Sequence, residues 1–205
     1  MTKEEFNKLN INPSSNIPRI STNRPLSMFY KRSNHDSILY TMLQDNKFVS
    51  FESTDYQNMH RDRDFELMYV LKGSLTNYLE NQVFYFNEGD GCLLNPQIKH
   101  TEKLNDDCSV VFINLSESLL NQLLVNVTDS GLIFSFLKYN LMDKNDWQRN
   151  YLSFNTLNGS ESKIFKITLD ALQQELVTNK LGANYLQNGL ILRLLSELRS
   201  EEHHV

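Results

Sequence analysis

The sequence reads HRDRDFELMYVLKGSL over residues 60–75 and GDGCLLNPQIKH over residues 89–100. The segment Phe65–Leu71 is apolar except for Glu66, and Gly73 follows it as a turn residue. Because side chains alternate between the two faces of a strand, each face of this segment is largely apolar. Such a strand is buried on both sides, with one side facing the interior of a barrel and the other a second layer. Glu66 is then a buried carboxylate that needs a partner.

The surrounding residues 26–115 repeat this strand pattern. Short apolar, aromatic or β-branched runs are separated by turn residues such as Lys72-Gly73 and Asn95-Pro96. Many short strands at near-regular spacing predict an antiparallel barrel or sandwich. The predicted strands are Ser37–Leu43, Phe48–Phe51, Phe65–Leu71, Leu75–Leu79, Val83–Phe86, Cys92–Leu94 and Ser109–Ile113.

From Ser116 onward the hydrophobic period becomes helical. Ser116 is a suitable N-cap for a first helix, which carries leucines at positions 119, 120, 123 and 124. Further helices are predicted over Gly131–Leu141, Ser162–Thr178 and Asn184–Glu202, and residues 143–162 read as a loop. Strands first and helices last indicate an α+β, mainly β fold. We therefore divide the chain into an N-terminal arm (1–25), a β-barrel (26–115) and a helical subdomain (116–205).

The two opening segments resemble the two halves of the cupin signature, in the form found in N-terminal domains of AraC-type transcription regulators. The likeness rests on a histidine-containing lead-in before Glu66, a turn at Gly73, and Gly89-Asp90 followed by Pro96 and His100. The resemblance implies a cupin-like antiparallel β-barrel (jelly roll) followed by a helical dimerisation subdomain. It also implies effector sensing, in which a small molecule, a sugar by preference, binds in the barrel. The effector would control DNA binding by a C-terminal helix-turn-helix domain that is absent from this chain.

The ligand-binding residues predicted for the barrel come from the two motifs, the following strand and the arm. Rings can stack on sugar faces while imidazole and carboxylate groups hold hydroxyls, in a pocket that is otherwise apolar. Arg24 is included by analogy, because the arm folds over the ligand in sugar-responsive relatives; a solvated arginine is the alternative. For each aromatic residue, an ordinary place in the core is the alternative. The predicted set is His60, Glu66, His100, Tyr78, Met68 and Arg24.

A metal site is the main alternative at the same positions. Cupin enzymes bind a metal through histidines and a glutamate of the two motifs, which correspond here to His60, Asp62, Glu66 and His100. Asp62 stands where those enzymes have a second histidine, although two histidines with carboxylates can still ligate a metal. Regulators of this family generally keep such residues without a metal, so we expect no metal and no cofactor.

Catalysis is not expected either. The sequence contains no nucleophile elbow, phosphate-binding loop, dinucleotide fingerprint or His-Glu-x-x-His motif, and no catalytic residue is assigned. The alternatives are a stand-alone metal-dependent cupin enzyme, an isomerase or dioxygenase, and a sugar-binding cupin without a regulatory role.

The last predicted helix carries two adjacent apolar rows. They consist of Leu190, Leu194 and Leu198 in one row, and Ile191 and Leu195 in the other. The resemblance implies a homodimer formed through this region, so these residues are the predicted dimer interface. The alternative is that these rows pack on the barrel of the same chain. Because there are two rows, one can form the dimer interface while the other packs on the barrel.

Composition limits the partners. The formal net charge is -5, which argues against a DNA-binding surface within these residues because phosphate contacts rest on lysine and arginine clusters. The two cysteines, Cys92 and Cys108, form no CxxC pair. No signal-peptide pattern and no apolar run near the roughly 20 residues of a membrane span occur. We expect a cytoplasmic protein with no membrane partner.

Overall fold

Strands occupy the chain as far as Leu115, and helices occupy most of it thereafter. The computed structural model describes residues 19–20, 24–54, 58–128, 131–142, 151–156, 159–178 and 180–201. The strands in these ranges are β1 (Arg19–Ile20), β2 (Leu26–Asn34), β3 (Ser37–Gln44), β4 (Lys47–Ser53), β5 (Arg61–Asp62), β6 (Phe65–Lys72), β7 (Ser74–Leu79), β8 (Gln82–Asn87), β9 (Asp90–Leu94), β10 (His100–Leu104), β11 (Ser109–Leu115), β12 (Tyr151–Asn155) and β13 (Arg199–Glu201). The helices are α1 (Glu117–Leu124), α2 (Leu132–Met142), α3 (Gly159–Val177) and α4 (Ala183–Glu197).

Two antiparallel sheets form the β part of the fold. The larger sheet has eight strands in the order β13-β12-β9-β6-β11-β2-β3-β4, and the smaller has the order β10-β7-β8. A short parallel pair joins β1 of the arm to β5, with Ile20 opposite Asp62. Each sheet therefore combines strands that are distant in the chain, as expected for a jelly-roll arrangement.

The two faces of β6 belong to different cores. Met68 and Val70 pack in a cluster with residues of both sheets, including Leu75 and Leu79 of β7. Phe65, Leu67 and Tyr69 face the other way and pack against residues of the helices. The molecule thus has three layers, the small sheet, the large sheet and the helices. The predicted mainly β, α+β fold of cupin-like jelly-roll type is confirmed.

Glycine is required at position 91 of β9, which lies between β6 and β12 in the large sheet. A Cβ added at Gly91 would lie 2.2 Å from the carbonyl oxygen of Met68 and 2.6 Å from the ring of Phe154. Gly91 therefore lets the backbones of β6 and β9 and the ring from β12 approach one another closely. Gly73 has φ +73, so the predicted turn after β6 uses the left-handed conformation that glycine adopts most easily.

The region after Leu115 differs from prediction in two places. Residues 143–162 were expected to be a loop, but Tyr151–Asn155 form β12, which pairs with β9. The last helix was expected to reach Glu202, but α4 ends at Glu197, and Leu198 is extended with φ -82 and ψ 127. The following residues, Arg199–Glu201, form β13 and pair with β12. β12 thus lies between β13 and β9, and a strand of five residues takes its conformation from such neighbours, which local propensity does not report.

The helical layer begins as the sequence predicts. Ser116 caps α1, because its hydroxyl oxygen accepts a hydrogen bond from the backbone N–H of Leu119 at 3.2 Å. Helices α3 and α4 pack against each other, and Gly182 between them has φ +89. The face of α3 that packs inward is Phe165, Leu169, Leu172 and Leu176.

Candidate functional site

Two histidines meet inside the β part of the molecule. His60 and His100 form an antiparallel bridge in which each backbone N–H donates to the other residue's carbonyl oxygen at 2.9 Å. Their rings lie 4.3 Å apart between centroids, and both side chains are buried. The first and second motifs are thereby brought together, as the resemblance implies.

The backbone orients both imidazoles in the same way. Nδ1 of His60 lies 2.9 Å from the carbonyl oxygen of Asn58, and Nδ1 of His100 lies 3.2 Å from that of Ile98. A carbonyl oxygen can only accept, so each Nδ1 carries the proton of that contact. The Nε2 atom of His100 is then directed at Asp62 Oδ2, at 3.2 Å, and at Glu66 Oε1, at 3.1 Å.

The charges of this group are strongly coupled. Burial by itself lowers the pKa of His100, but the nearby carboxylates of Glu66 and Asp62 outweigh burial and hold it well above its ordinary 6.5. Burial, and then repulsion from Asp62, raise the pKa of Glu66. Burial, and then the charge of His100, lower the pKa of His60 to about 4. At neutral pH His100 is therefore charged and His60 is neutral.

A second ion pair, formed by Lys31 and Glu102, lies in the same interior, with both side chains buried. Glu102 outweighs the effect of burial and raises the pKa of Lys31, and Lys31 in turn lowers that of Glu102. The Lys31 ammonium also lies 4.8 Å from the ring centroid of Phe112 and 5.6 Å from that of Tyr40. Stacking of an ammonium on aromatic rings adds further stabilisation in a desolvated site.

This second pair was not predicted from the sequence, although the sequence contains signals for it. Lys31 lies two residues after Phe29 on β2, and Glu102 lies two residues after His100 on β10. A period of two puts the members of each pair on one face of their strand. Neither β2 nor β10 was among the predicted strands, so this alternation was not applied to them.

Several buried oxygen atoms of the interior are left with few or no hydrogen-bond donors. Asn114 Nδ2 donates to Glu66 Oε2 at 3.4 Å, and Asn77 Nδ2 contacts the sulfur atoms of Met68 and Cys92 at 3.7 and 3.6 Å. Within the described residues neither Asn77 Oδ1 nor Asn114 Oδ1 accepts a hydrogen bond. Asp62 Oδ2 and Glu66 Oε1 share the single Nε2 of His100. We call His60, Asp62, Glu66, His100, Asn77 and Asn114 the interior polar cluster. Unpaired buried polar atoms are costly and mark a place where a ligand can supply partners.

The sequence matches the model of a known protein family. The family model of the AraC-like ligand binding domain matches residues 48–149. The chain belongs to this family. No curated protein matches its sequence.

Solved structures with a similar fold include other AraC-like proteins. The chain is similar to an apo form of ToxT from Vibrio cholerae, with a TM-score of 0.50 and 14% sequence identity over 86% of this chain and 56% of that chain. It is also similar to the AraC-like transcriptional activator CuxR, with a TM-score of 0.41 and 6% identity over 83% of this chain and 55% of that chain. An RmlC-like cupin from Methanocaldococcus jannaschii gives a TM-score of 0.30 and 11% identity over 51% of this chain and 94% of that chain. The chain thus spans little more than half the length of the ToxT structure, and at this identity the likeness concerns the fold alone.

Four of the six predicted ligand residues lie together in this AraC-like domain. His60, Glu66, Met68 and His100 line the interior, whereas Tyr78 does not. The burial of β7 alternates, with Leu75, Asn77 and Leu79 buried, so Tyr78 points to the outer face of the small sheet. Asn77 takes the inward position instead.

Arg24 lies elsewhere as well. It lines a cleft between the start of β2 and the helices, and its Nη1 donates to Asn46 Oδ1 at 3.1 Å. The lining of this cleft includes no member of the interior polar cluster. The other arm arginine, Arg19, is described only through the backbone pairing of β1.

The predicted dimer residues are mostly inside one chain. Ile191, Leu194, Leu195 and Leu198 belong to the core between the large sheet and the helices, and Leu190 packs against that core while remaining half-buried. Their apolar character is therefore explained by packing within one chain, which was the alternative to a dimer interface. The outer surface of the helix pair carries other exposed apolar residues, namely Ile164, Ile167, Tyr185 and Leu186. Among the described residues, no helix has the length and apolarity that crossing a membrane requires.

Proposed function

We propose that this AraC-like domain senses a small-molecule effector that binds in the β interior at the interior polar cluster. The observation that carries the proposal is a set of buried oxygen atoms short of donors. Those of Asn77 and Asn114 accept no hydrogen bond from the described residues, and those of Asp62 and Glu66 share one Nε2 of His100. Burial without compensation is unfavourable, so a ligand that pairs these atoms stabilises the bound state. Effector binding would control DNA binding by a C-terminal helix-turn-helix domain outside this chain, in a cytoplasmic protein without enzymatic activity.

These oxygen atoms favour a polyhydroxylated effector. All four, from Asp62, Glu66, Asn77 and Asn114, are acceptors, and hydroxyl groups supply the donors that the interior lacks. The interior also contains stacked rings, since Phe29 and Phe112 lie 4.6 Å apart. Apolar surface beside a few convergent polar groups suits the faces and edges of a sugar.

Thermal unfolding in the presence of D-glucose, D-galactose or D-xylose tests this proposal. A ligand at about 100 times its Kd stabilises the protein by about 2.7 kcal/mol, so a binding sugar raises the midpoint measurably. The variant Glu66→Gln should abolish the shift because it removes one acceptor charge from the cluster. Tyr78→Phe is the matched control on the outer face and should keep the shift. Failure of every neutral sugar to move the midpoint would contradict a sugar effector.

We also propose that the protein forms a homodimer through its helical part. Dimerisation needs an exposed apolar centre, and the outer surface of α3 and α4 offers Ile167 and Leu186. The Leu194 row is a poorer choice because its packing is completed inside one chain. Light scattering of Leu186→Asp should show a monomer, and Val125→Asp, at an exposed apolar residue just beyond α1, should leave the dimer intact. A Leu186→Asp protein that stays dimeric would exclude this surface.

A metal-dependent cupin enzyme is the second candidate, favoured by one observation. Ligand atoms of His60, Asp62 and His100 all lie within 4.8 Å of one another, and each histidine is fixed through Nδ1, as ligating histidines usually are. These three residues would hold a divalent metal, which would supply Lewis-acid chemistry. Metal analysis after dialysis against Zn²⁺ or Mn²⁺ separates the candidates. Stoichiometric metal that His100→Gln removes would favour the enzyme, and metal below stoichiometry would favour the regulator.

A further inference from the structure

A cavity lies outside the β interior. It is a cleft of about 540 Å³ between the start of β2, the β3–β4 turn and the helices α1, α3 and α4. Pockets for small ligands commonly measure about 300 to 1,000 Å³. The cleft shares no lining residue with the interior polar cluster, so its role stands apart from the function proposed above.

The base of the cleft is apolar and firmly held. Leu26 of β2, Leu119 of α1 and Leu176 of α3 line it, and all three belong to the core between the large sheet and the helices. Side chains buried in a close-packed core keep their positions. The cleft therefore has a preformed apolar surface contributed by three separate elements.

The walls are rich in side-chain amides. Gln122 of α1 and Asn184 and Asn188 of α4 line the cleft, and within the described residues none of these three amides has a hydrogen-bond partner. Asn184 and Asn188 are four residues apart and so project from one side of the helix. Asparagine is a weak helix former. Asn188 nevertheless lies inside α4, and its side chain forms no hydrogen bond within the described residues that would account for an asparagine at this position. Gln187 is oriented by donating to the carbonyl oxygen of Glu175 at 2.8 Å.

One charged residue lines the cleft, and it is cationic. Among the described lining residues Arg24 alone carries a charge. Its hydrogen bond to Asn46, at 3.1 Å, places the guanidinium in the wall. A guanidinium binds a carboxylate through a planar fork of donors. The described lining residues include no carboxylate side chain that would repel an anion.

We propose that this cleft binds a carboxylated sugar or a comparably small polyhydroxy carboxylate. The carboxylate pairs with Arg24. The amides bind hydroxyl groups, since an amide and a hydroxyl each donate and accept. The C–H face of the ligand packs on the three leucines.

Isothermal titration of the whole chain with D-galacturonate, D-gluconate and D-galactose tests this assignment. We expect saturable binding of a carboxylated probe, at least about tenfold tighter than the binding of galactose to the Glu66→Gln protein, because a hydrogen bond to a charged group is stronger than one to a neutral group. Arg24→Gln should weaken that binding about tenfold or more for the same reason. Asn188→Leu should weaken it too, which provides a second variant on a different element.

The control variants separate this cleft from the β interior. Arg193→Gln removes an exposed arginine of α4 that does not line the cleft, and it should leave galacturonate binding unchanged. Glu66→Gln should also leave it unchanged, although it abolishes binding at the interior polar cluster. The proposal is wrong if neither carboxylated probe binds, if galactose binds the Glu66→Gln protein as well as galacturonate does, or if folded Arg24→Gln and Asn188→Leu proteins bind galacturonate as the native chain does. Loss of galacturonate binding in Glu66→Gln would place that ligand in the interior and overturn the proposal as well.

Discussion

Replacing His60 with asparagine should make the protein less sensitive to acid. The His60 side chain is only 4% exposed, and burial, followed by the charge of His100, lowers its pKa from 6.5 to about 4. As the pH falls through 6.5, His60 takes up a proton in the unfolded chain but not in the folded one. Its contribution to stability is therefore complete above pH 6.5 and is lost progressively between pH 6.5 and about 4.

The size of this effect follows from the two pKa values. A pH of 5 lies about 1.5 units below the pKa of His60 in the unfolded chain. Protonation of His60 therefore stabilises the unfolded state by about 1.4 kcal/mol for each of these units. Titration of His60 alone should thus lower the free energy of unfolding by about 2 kcal/mol between pH 7 and pH 5. His100 and Glu66, whose pKa values are raised, act in the opposite direction, since their contributions are present at low pH and lost as the pH rises.

Urea unfolding of the native chain and of His60→Asn at pH 7 and pH 5 measures the effect. Asparagine keeps a donor near the carbonyl oxygen of Asn58, so the comparison isolates the titrating ring. The variant should lose about 2 kcal/mol less than the native chain between the two pH values. His35→Asn is the matched control, because His35 is exposed in a turn with φ 52 that asparagine tolerates. An equal loss in the native chain and in His60→Asn would refute a buried neutral His60.

Four further substitutions test the packing of the sheets and of the helices. Lys31→Met should destabilise the protein by about 3–5 kcal/mol in urea titration, because it leaves Glu102 buried without its cation. The double variant with Glu102→Leu should recover most of that loss, and a double variant no more stable than the single one would contradict the pairing. Gly91→Ala should prevent native folding, seen as loss of the cooperative thermal transition, since the new Cβ would lie 2.2 Å from the carbonyl oxygen of Met68. Gly189→Ala, inside α4 with open space around it, should instead raise the free energy of unfolding by up to about 1 kcal/mol, and an unchanged or lower value would argue against a helical Gly189.

The sequence predicted those parts of the site that a single strand determines. Alternation along Phe65–Leu71 placed Glu66 and Met68 on one face and Tyr69 on the other, which holds because β6 lies between two cores. The N-cap at Ser116 was likewise a local signal, and it is confirmed. In such cases the period of the sequence and the burial of the strand or helix carry the same information.

Other parts of the site depend on pairing between distant strands. Lys31 is buried because β2 lies beside β11 in the large sheet, and no composition rule expects a lysine there. Tyr78 was placed in the pocket for its ring, although its strand partner Thr101 is only half-buried and Asn77 is the inward residue. The leucines of α4 show the same limit, since an apolar row on a helix indicates burial but not whether the covering surface belongs to the same chain.

The interior polar cluster is most simply explained by a ligand whose binding is linked to the arm. Two carboxylates beside a charged imidazole, with unpaired oxygen atoms around them, are a costly way to fill a core that hydrophobic residues would fill at least as stably. Asp62, a member of this cluster, is also the residue of β5 that pairs with Ile20 of the arm strand β1. A ligand that bonds Asp62 or His60 therefore acts on the strand to which the arm is attached. If it binds more tightly when β1 is paired than when it is released, ligand binding shifts the arm between these two states. Hydrogen exchange at Ile20 with and without a bound ligand measures that shift, and equal protection in both conditions would show that the arm and the cluster are not coupled.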